Sequence, residues 1–226
     1  MIYSLSDLHL SFGTNKPMNV FGRNWDGYEE KIKKNWNNIV KRDDYVLVCG
    51  DVSWAMYIDD AALDFSYINE LNGTKIISKG NHDYWWCTHN KQKNFIEKHG
   101  FERICFLHNN SYMAEGVGIC GARGWLAGEL CNSDEDKKIY DRELQRLELS
   151  IKSIPAEAER KIAMLHYPPD LTFMKMLSDY KIDDCVYGHL HAGAHKNAIY
   201  GCLDGVRYNL TSCDYLGFKP LLIKGE

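Results

Sequence analysis

Val46-Leu47-Val48-Cys49-Gly50-Asp51 is the stretch of the chain that decides the fold. Its consecutive apolar residues predict a strand that is buried on both faces. Gly50 allows the backbone to turn or to approach another segment closely. Asp51 then stands at the carboxyl end of the strand, where open α/β sheets bind their ligands. Taken alone, Gly50-Asp51 is more typical of an ordinary turn, so the rest of the chain has to decide.

Four other strand-like runs also end in polar residues that can bind metals. They are followed by Asp7-Leu8-His9, Gly80-Asn81-His82-Asp83, His166 and Gly188-His189-Leu190-His191. In Asp7-Leu8-His9 and in His189-Leu190-His191 the two polar residues are two apart, which on an extended chain places both side chains on one face. With Asp51, these segments offer seven nitrogen or oxygen donors. One ion of the zinc, iron or manganese kind takes about three to six donors, so seven is the number expected when two ions share a carboxylate.

Strands and helices alternate around these segments. Apolar periodicity predicts helices over residues 28–39, from Asp59 to Asn72-Gly73 with Leu63, Tyr67 and Leu71 on its buried face, and over residues 88–99, 134–153 and 171–180. It predicts strands over residues 2–5, 75–78, 104–108, 111–114, 117–120, 161–165 and 185–187, and a hairpin of residues 199–203 and 206–210 around Asp204-Gly205. This order predicts layers of helices on sheets. No linker or repeat interrupts it, so residues 1–226 are expected to form a single domain.

Composition excludes several classes of protein. The chain has 226 residues, of which 45% are hydrophobic and 26% charged, as in folded globular proteins. Its net charge of -4 gives no electrostatic reason to expect a long nucleic acid as partner. No apolar run approaches the roughly 18 residues of a membrane span, and no signal peptide is recognisable. The eight cysteines form no C-x-x-C pair, which indicates reduced thiols and a cytoplasmic protein.

The ordered series of D-x-H, G-D, G-N-H-D, H and G-H-x-H, which extends from residue 7 to residue 191, resembles the calcineurin-like metallophosphoesterase superfamily. The resemblance implies an α+β fold, a four-layer α/β/β/α sandwich with the metal site at the strand ends. It also implies two divalent or trivalent transition-metal ions, of manganese, iron or zinc. Carried over residue by residue, it makes Asp51 the bridging ligand, with one ion held by Asp7, His9 and His191 and the other by Asn81, His166 and His189.

The same resemblance implies a chemistry. A hydroxide held between the two ions attacks phosphorus in line and hydrolyses a phosphate monoester or diester. His82 has no place among the seven ligands, and its counterpart in the family lies near the leaving-group oxygen. We therefore expect His82 to act as general acid or transition-state stabiliser. Asp83 is expected either to orient His82 or to cap a helix.

The sequence departs from the protein Ser/Thr phosphatases of this superfamily. Those enzymes have an Asp-Arg-Gly after the G-D segment and G-N-H-E in place of G-N-H-D, whereas here Val52, Ser53 and Trp54 follow Asp51. The arginine that would clamp a phosphoryl group is missing there, which argues against a protein phosphatase. Arg123, between glycines at the end of a strand, is a candidate phosphate contact.

Aromatic residues cluster beside the predicted metal segments. Trp54, Tyr84, Trp85 and Trp86 are suited either to stacking on a base or sugar of the substrate or to packing around the site, and Trp54 is taken as a substrate contact. The remaining histidines, His89, His99, His108 and His195, fit none of the five segments and are expected to be surface or packing residues.

Two other functions remain open. The same site would also suit a nuclease or a cyclic-nucleotide phosphodiesterase. A scaffold that kept the fold without catalysis is the alternative outside enzymes, although it would have no need for seven metal donors. We expect a small phosphorylated substrate and no membrane partner; the sequence does not predict the oligomeric state.

Overall fold

The computed structural model describes residues 1–126 and 131–225. Eleven strands are present in this part of the chain: β1 (Ile2–Ser4), β2 (Tyr45–Val48), β3 (Thr74–Ile77), β4 (Ile104–Phe106), β5 (Tyr112–Ala114), β6 (Val117–Ala122), β7 (Arg160–Leu165), β8 (Asp184–Tyr187), β9 (Gly201–Leu203), β10 (Val206–Leu210) and β11 (Leu221–Lys224). The first sheet has the order β11-β1-β2-β3-β4, and the second has the order β5-β6-β7-β8-β10-β9.

Both sheets have a parallel interior. Strands β1 to β4 pair in parallel, as do β6, β7, β8 and β10, while β5, β9 and β11 pair antiparallel at the edges. The predicted hairpin between β9 and β10 is confirmed, and its turn residues Asp204 and Gly205 have φ values of 48° and 81°. Two consecutive positive φ values are what a two-residue turn between right-twisted strands requires.

Among the described residues, five α-helices cover the sheets: α1 (Tyr28–Ile39), α2 (Ala62–Glu70), α3 (His89–His99), α4 (Asp134–Lys152) and α5 (Leu171–Asp179). Two of them begin at a side-chain cap. The Ser133 hydroxyl accepts a hydrogen bond from the backbone N–H of Asp136, and the Asp170 carboxylate accepts two from the first turn of α5. Such caps satisfy N–H groups that have no partner inside the helix.

Three apolar cores separate four layers. Val46 and Val48 point from β2 to helices α1, α2 and α3, in a core that contains Trp36 and Phe65. Leu47 and Cys49 point the other way, toward residues of the second sheet such as Ile162, Met164 and Val186. Helices α4 and α5 cover the outer face of the second sheet through Leu147, Ile151, Phe173 and Leu177. The predicted α/β/β/α sandwich and the two-sided burial of the stretch around β2 are therefore confirmed.

The structure corrects some predicted elements. Asp59 does not cap α2 but lies in a preceding 3-10 turn, Ile58–Ala61. The buried face of α2 is formed by Phe65 and Ile68, whereas Leu63 is 59% exposed, because the 3-10 turn shifts the start of the helix. Strand β11 was not predicted.

All eight cysteines carry free thiols. Within residues 1–126 and 131–225, no helix has both the length and the apolar character that crossing a membrane requires.

Candidate metal centre

The carboxyl ends of strands from both sheets meet at one place. The loops after β1 and β2 are joined by backbone hydrogen bonds from Asp7 N to Gly50 O (3.1 Å) and from His9 N to Asp51 O (2.9 Å). In the second sheet, the N–H of Gly188 after β8 donates to His166 O after β7 at 3.2 Å. The seven predicted donors are brought together because parallel strands of both sheets end at the same edge.

Several of these donors have an unusual backbone. Asp7, His9, Asp51 and His189 have φ values of 59°, 46°, 52° and 72°. The expectation that Asp7 and His9 share a face of an extended chain is therefore wrong, since both residues have a left-handed backbone conformation rather than an extended one. Left-handed non-glycine residues are uncommon and persist where the surrounding contacts hold them, often at functional sites.

Glycines allow two metal-site loops to touch. Gly50 has a φ of 87°, and a Cβ atom there would collide with the backbone of Gly80. A Cβ atom at Gly80 would in turn collide with the carboxylate of Asp51. The close approach foreseen for Gly50 is thus confirmed, and it brings Asp51 to the loop that carries Asn81.

The first group of donors is formed by Asp7, His9 and His191. One ligand atom from each lies within 4.8 Å of the others. The Nε2 atoms of His9 and His191 are 3.3 Å apart, and Nε2 of His191 is 3.7 Å from Oδ1 of Asp7. Oδ2 of Asp51 is 3.8 Å from Nε2 of His9, so the Asp51 carboxylate borders this group.

The second group is formed by Asn81, His166 and His189. The Asn81 Oδ1 atom lies 2.6 Å from Nε2 of His166 and 2.9 Å from Nδ1 of His189, and these two nitrogens are 3.2 Å apart. Oδ2 of Asp51 is 3.6 Å from Nε2 of His166. The same Asp51 oxygen therefore faces both groups, as a bridging ligand would.

Two histidines are oriented by partners outside the donor groups. Nδ1 of His166 lies 2.9 Å from the carbonyl oxygen of Cys49, and Nδ1 of His191 lies 2.8 Å from Oδ1 of Asp214. Because its Nδ1–H is used in this way, the neutral ring of His166 keeps its Nε2 lone pair toward the donor group. Burial opposes protonation of His191, but hydrogen bonds to Asp214 and Asp7 raise its pKa to about 10, so its Nε2 holds a proton that a metal ion would have to displace.

The charges of the site fit cation binding. Burial lowers the pKa of His9 and of His189 to about 3, so both rings are neutral and can donate lone pairs. Burial and the charge of Asp7 raise the pKa of Asp51 to about 8, so its ionised form requires a nearby cation. Although burial works against it, His191 holds the pKa of Asp7 well below the usual range. Nitrogen and oxygen donors without thiolate suit manganese, iron or zinc.

Asp83 has a role that the sequence did not predict. Its buried carboxylate accepts hydrogen bonds from the backbone N–H groups of Asp51 (2.9 Å), Val52 (2.9 Å) and Gly80 (2.7 Å) and from the indole of Trp85 (3.0 Å). It neither contacts the His82 ring nor caps a helix, since α3 begins after Thr88. Asp83 instead joins the Asp51 loop to the Asn81 loop.

His82 stands at the edge of the centre. Its backbone N–H donates to Oδ1 of Asp51 at 2.8 Å, and its half-buried ring lies 4.6 Å from Trp54 and 5.9 Å from His9, between ring centroids. Burial lowers the pKa of His82, and the charges of His166 and Lys16 lower it further. Nδ1 of His82 is buried and has no hydrogen-bond partner among the described residues.

Trp54 connects His82 to a metal donor. Its ring stacks on His9 with centroids 4.9 Å apart, and the ammonium group of Lys16 lies 4.0 Å from the Trp54 ring centroid. Lys16 is exposed and has no acidic partner within the described part of the chain. A free cation therefore lies at the mouth of the centre.

Arg123 is engaged elsewhere. Its guanidinium lies 3.7 Å from the buried Glu143 carboxylate and 4.3 Å from the Trp125 ring centroid. Arg146 donates to the same Glu143 at 2.8 Å. Arg123 contacts the centre through its backbone, since its carbonyl oxygen accepts from His166 N at 3.0 Å.

Sequence reasoning missed Asp214 and Lys16. Asp214 follows β10 by four residues, so it also lies beyond the carboxyl end of a strand, a signal that was available. His195, which was set aside as a packing residue, lies 3.3 Å from the Asp214 carboxylate. Lys16 lies in a loop with no recognisable pattern, and nothing in the sequence marks it.

Solved structures show the same fold at low sequence identity. The phosphopantetheinyl hydrolase PptH from Mycobacterium tuberculosis is 12% identical, with a TM-score of 0.60 over 99% of this chain and 96% of that one. A protein of unknown function, AQ665 from Aquifex aeolicus, is 18% identical, with a TM-score of 0.51 over 98% and 94%. The protein TT1561 of Thermus thermophilus is 14% identical, with a TM-score of 0.53 over 84% and 81%.

No curated protein matches the chain in sequence. Residues 1–193, however, match the family model described as calcineurin-like phosphoesterase, which covers well over half of the chain. The chain therefore belongs to the calcineurin-like phosphoesterase family, whose members are metal-dependent phosphoester hydrolases.

Proposed function

We propose that this protein hydrolyses a small phosphate monoester or diester with the help of two transition-metal ions, of manganese, iron or zinc. The observation that carries the proposal is the shared position of Asp51, whose Oδ2 lies 3.8 Å from Nε2 of His9 and 3.6 Å from Nε2 of His166. Asp7, His9 and His191 would hold one ion, Asn81, His166 and His189 the other, and Asp51 both.

The protein groups around the ions have separate tasks. When bound, two such ions lower the pKa of water and neutralise charge on the phosphoryl oxygens. Cys49 O and Asp214 hold the rings of His166 and His191 in position, and Asp83 holds the two loops together. His82 would give a proton to the leaving oxygen. Its lowered pKa favours release of that proton once the ring is charged.

Substrate contacts are proposed on the side of His82. Trp54 would form the wall beside the phosphoryl group, and Lys16 above it would contact the phosphoryl oxygens as a cation. Arg123 stays a prediction as a phosphate contact, but Glu143 and Trp125 already engage its guanidinium, so Lys16 is the better placed cation.

We also infer that residues 1–226 form one domain, although residues 127–130 and 226 lie outside the described part. A cytoplasmic location and a small phosphorylated substrate remain part of the proposal, since the chain carries a net charge of -4 and eight free thiols.

The experiment combines metal analysis with turnover. Protein reconstituted with manganese, iron or zinc is expected to hold two ions per chain and to hydrolyse aryl phosphate monoesters or diesters. His82→Ala should keep both ions and lose roughly 10²- to 10⁴-fold in rate, more with an alkyl than with a nitrophenyl leaving group. His89→Ala, at an exposed histidine outside the centre, is the matched control.

Four results would contradict the proposal or a part of it. Trace metal after reconstitution would refute the metal centre, and two ions without turnover of any ester would favour a scaffold. Loss of a metal ion in His82→Ala would place His82 among the ligands instead. Activity confined to cyclic nucleotides or nucleic acids would select the alternative hydrolases on the same site.

A further inference from the structure

A groove of about 550 Å³ is lined in part by residues that follow two of the metal-site segments in the chain. One wall is formed by Met56, Tyr57 and Asp59, and the other by Tyr84, Trp86 and residues of α3 such as Lys91. Ligand sites typically have volumes of about 300–1,000 Å³ and are lined by aromatic and apolar side chains with a few polar groups. The groove has the size and the lining of a site for a small organic group.

The groove is built from the continuation of the two metal-site loops. Met56 and Tyr57 come shortly after Asp51 and Trp54, while Tyr84 and Trp86 come directly after His82 and Asp83. The Tyr84 ring lies edge-on to the ring of His82, with centroids 6.3 Å apart. Tyr84 therefore neighbours the ring of His82 and also lines the groove, which places the groove on the His82 side of the centre.

The rim of the groove is apolar and exposed. Met56, Tyr57 and Tyr84 are 57%, 74% and 55% exposed. Single exposed apolar residues are ordinary, but three that converge on one groove form a surface that stacking with a ligand would cover. Buried Trp85 and Phe95, at 2% and 3% exposure, form a floor that packing holds rigid.

The charge of the groove is positive. Lys98 is neutralised by Asp59 at 3.0 Å, whereas Lys91 has no acidic partner among residues 1–126 and 131–225. Aromatic rings beside one unpaired ammonium group suit a planar ring that carries a negative charge.

We propose that this groove binds the leaving group of the substrate, and that this group contains a planar aromatic ring and a negative charge. The proposal rests on the proposed function, because only a reaction at the metal centre makes the occupant a leaving group. It names the substrate class more narrowly: a phosphate ester of an anionic aromatic alcohol.

The test compares three esters that differ only in the leaving group: ethyl phosphate, phenyl phosphate and 4-carboxyphenyl phosphate. The metal-loaded wild type should prefer the carboxyphenyl ester. Tyr84→Ala should lower kcat/KM for both aryl esters by about 5- to 150-fold, the worth of one aromatic stacking contact, and leave the ethyl ester unchanged. Lys91→Ala should lower kcat/KM for the carboxyphenyl ester alone, by about two- to fivefold.

Matched controls separate the groove from general surface effects. Tyr200→Ala removes a tyrosine that is 72% exposed and lies outside the groove, and Lys93→Ala removes a lysine of the same helix that pairs with Glu97 at 3.8 Å. Neither control should change the ratio of kcat/KM values among the three esters.

A binding measurement tests the groove without turnover. The measurement is calorimetry on protein treated with a chelator. Adenosine 5′-monophosphate, which has a ring and a charge, should bind at least about fivefold more tightly than ribose 5-phosphate, which has the charge alone. Fivefold is the lower end of what one stacking contact contributes to binding. Tyr84→Ala should remove this difference.

The outcomes distinguish the groove from the reaction. If all three esters are hydrolysed and Tyr84→Ala slows them equally or not at all, the leaving-group site is wrong and the proposed function stands. If the ring compound binds as expected but no ester is hydrolysed with any metal, the proposed function and the leaving-group role fall together, and ring binding alone is supported.

Discussion

Replacing Asp214 by asparagine tests how the centre holds His191. The Asp214 carboxylate is 1% exposed, and it accepts hydrogen bonds from Nδ1 of His191 at 2.8 Å and from the backbone N–H of Ala192 at 3.2 Å. Asparagine has the same shape but no charge. The side-chain oxygen of the asparagine can still accept from His191. Its NH₂ group would then face the backbone N–H of Ala192, so two donors would meet without an acceptor between them.

The magnitude follows from these contacts. A hydrogen bond that involves a charged group contributes about 1.5–3 kcal/mol, and a neutral one about 0.5–1.5 kcal/mol, so the exchange weakens the hold on His191 by about 1–2 kcal/mol. Removing partners of metal-binding histidines typically costs about 10- to 100-fold in metal affinity. We expect Asp214→Asn to lower the affinity for the ion at Asp7, His9 and His191 by about 10- to 100-fold and to leave the affinity for the other ion unchanged.

The assay is a competition titration with a chelator that resolves the two ions, together with elemental analysis. Asp204→Asn is the control, because Asp204 is exposed in the β9–β10 turn and asparagine tolerates its left-handed backbone. Unchanged affinity for both ions would refute the positioning role of Asp214. Equal weakening of both ions would show that the substitution disturbs the whole centre rather than His191.

Asp83→Ala should lower the free energy of unfolding of the metal-free protein by about 3–5 kcal/mol, because four buried N–H donors lose their acceptor; a loss under about 0.5 kcal/mol in urea titrations would contradict this. Lys16→Ala should lower kcat/KM for an aryl phosphate about tenfold with both metal ions retained, since one cation at the mouth of the centre is lost; unchanged kinetics would exclude the contact. Burial holds the pKa of His9 and of His189 at about 3, below the unfolded value of about 6.5, so between these values the unfolded chain binds more protons. Asp51, whose pKa is raised to about 8, binds one more proton in the folded chain between about 3.9 and 8 and offsets one of the two histidines. Between about pH 6.5 and 3, the free energy of unfolding of the chelated protein should therefore fall more steeply with falling pH in the wild type than in His189→Ala, and equal slopes would show that the His189 ring is not buried in its neutral form.

The sequence by itself determined the layers and predicted the seven candidate donors. The apolar run that ends at Asp51 predicts a strand covered on both faces, because its side chains are apolar in both directions, and Val46 and Leu47 do point to different cores. Each metal-binding residue type follows directly on such a run, so a local pattern was enough to find it. The Asp204-Gly205 turn was predicted for the same reason, since the positive φ values that it needs select these residues.

The tertiary structure alone decided which groups support the donors. Asp83 accepts a hydrogen bond from Asp51, 32 residues away, and Asp214 accepts one from His191, 23 residues away. The spacing of residues within one helix or strand does not predict contacts between segments so far apart in the chain. The placement of Lys16 over Trp54, and the neutralisation of Arg123 by Glu143, likewise depend on loops and helices that meet only in the folded chain. A local pattern predicts which side chains of one segment are buried. The partner of a buried charge depends on the whole fold, because only the packed chain excludes the water that would otherwise compete for that charge.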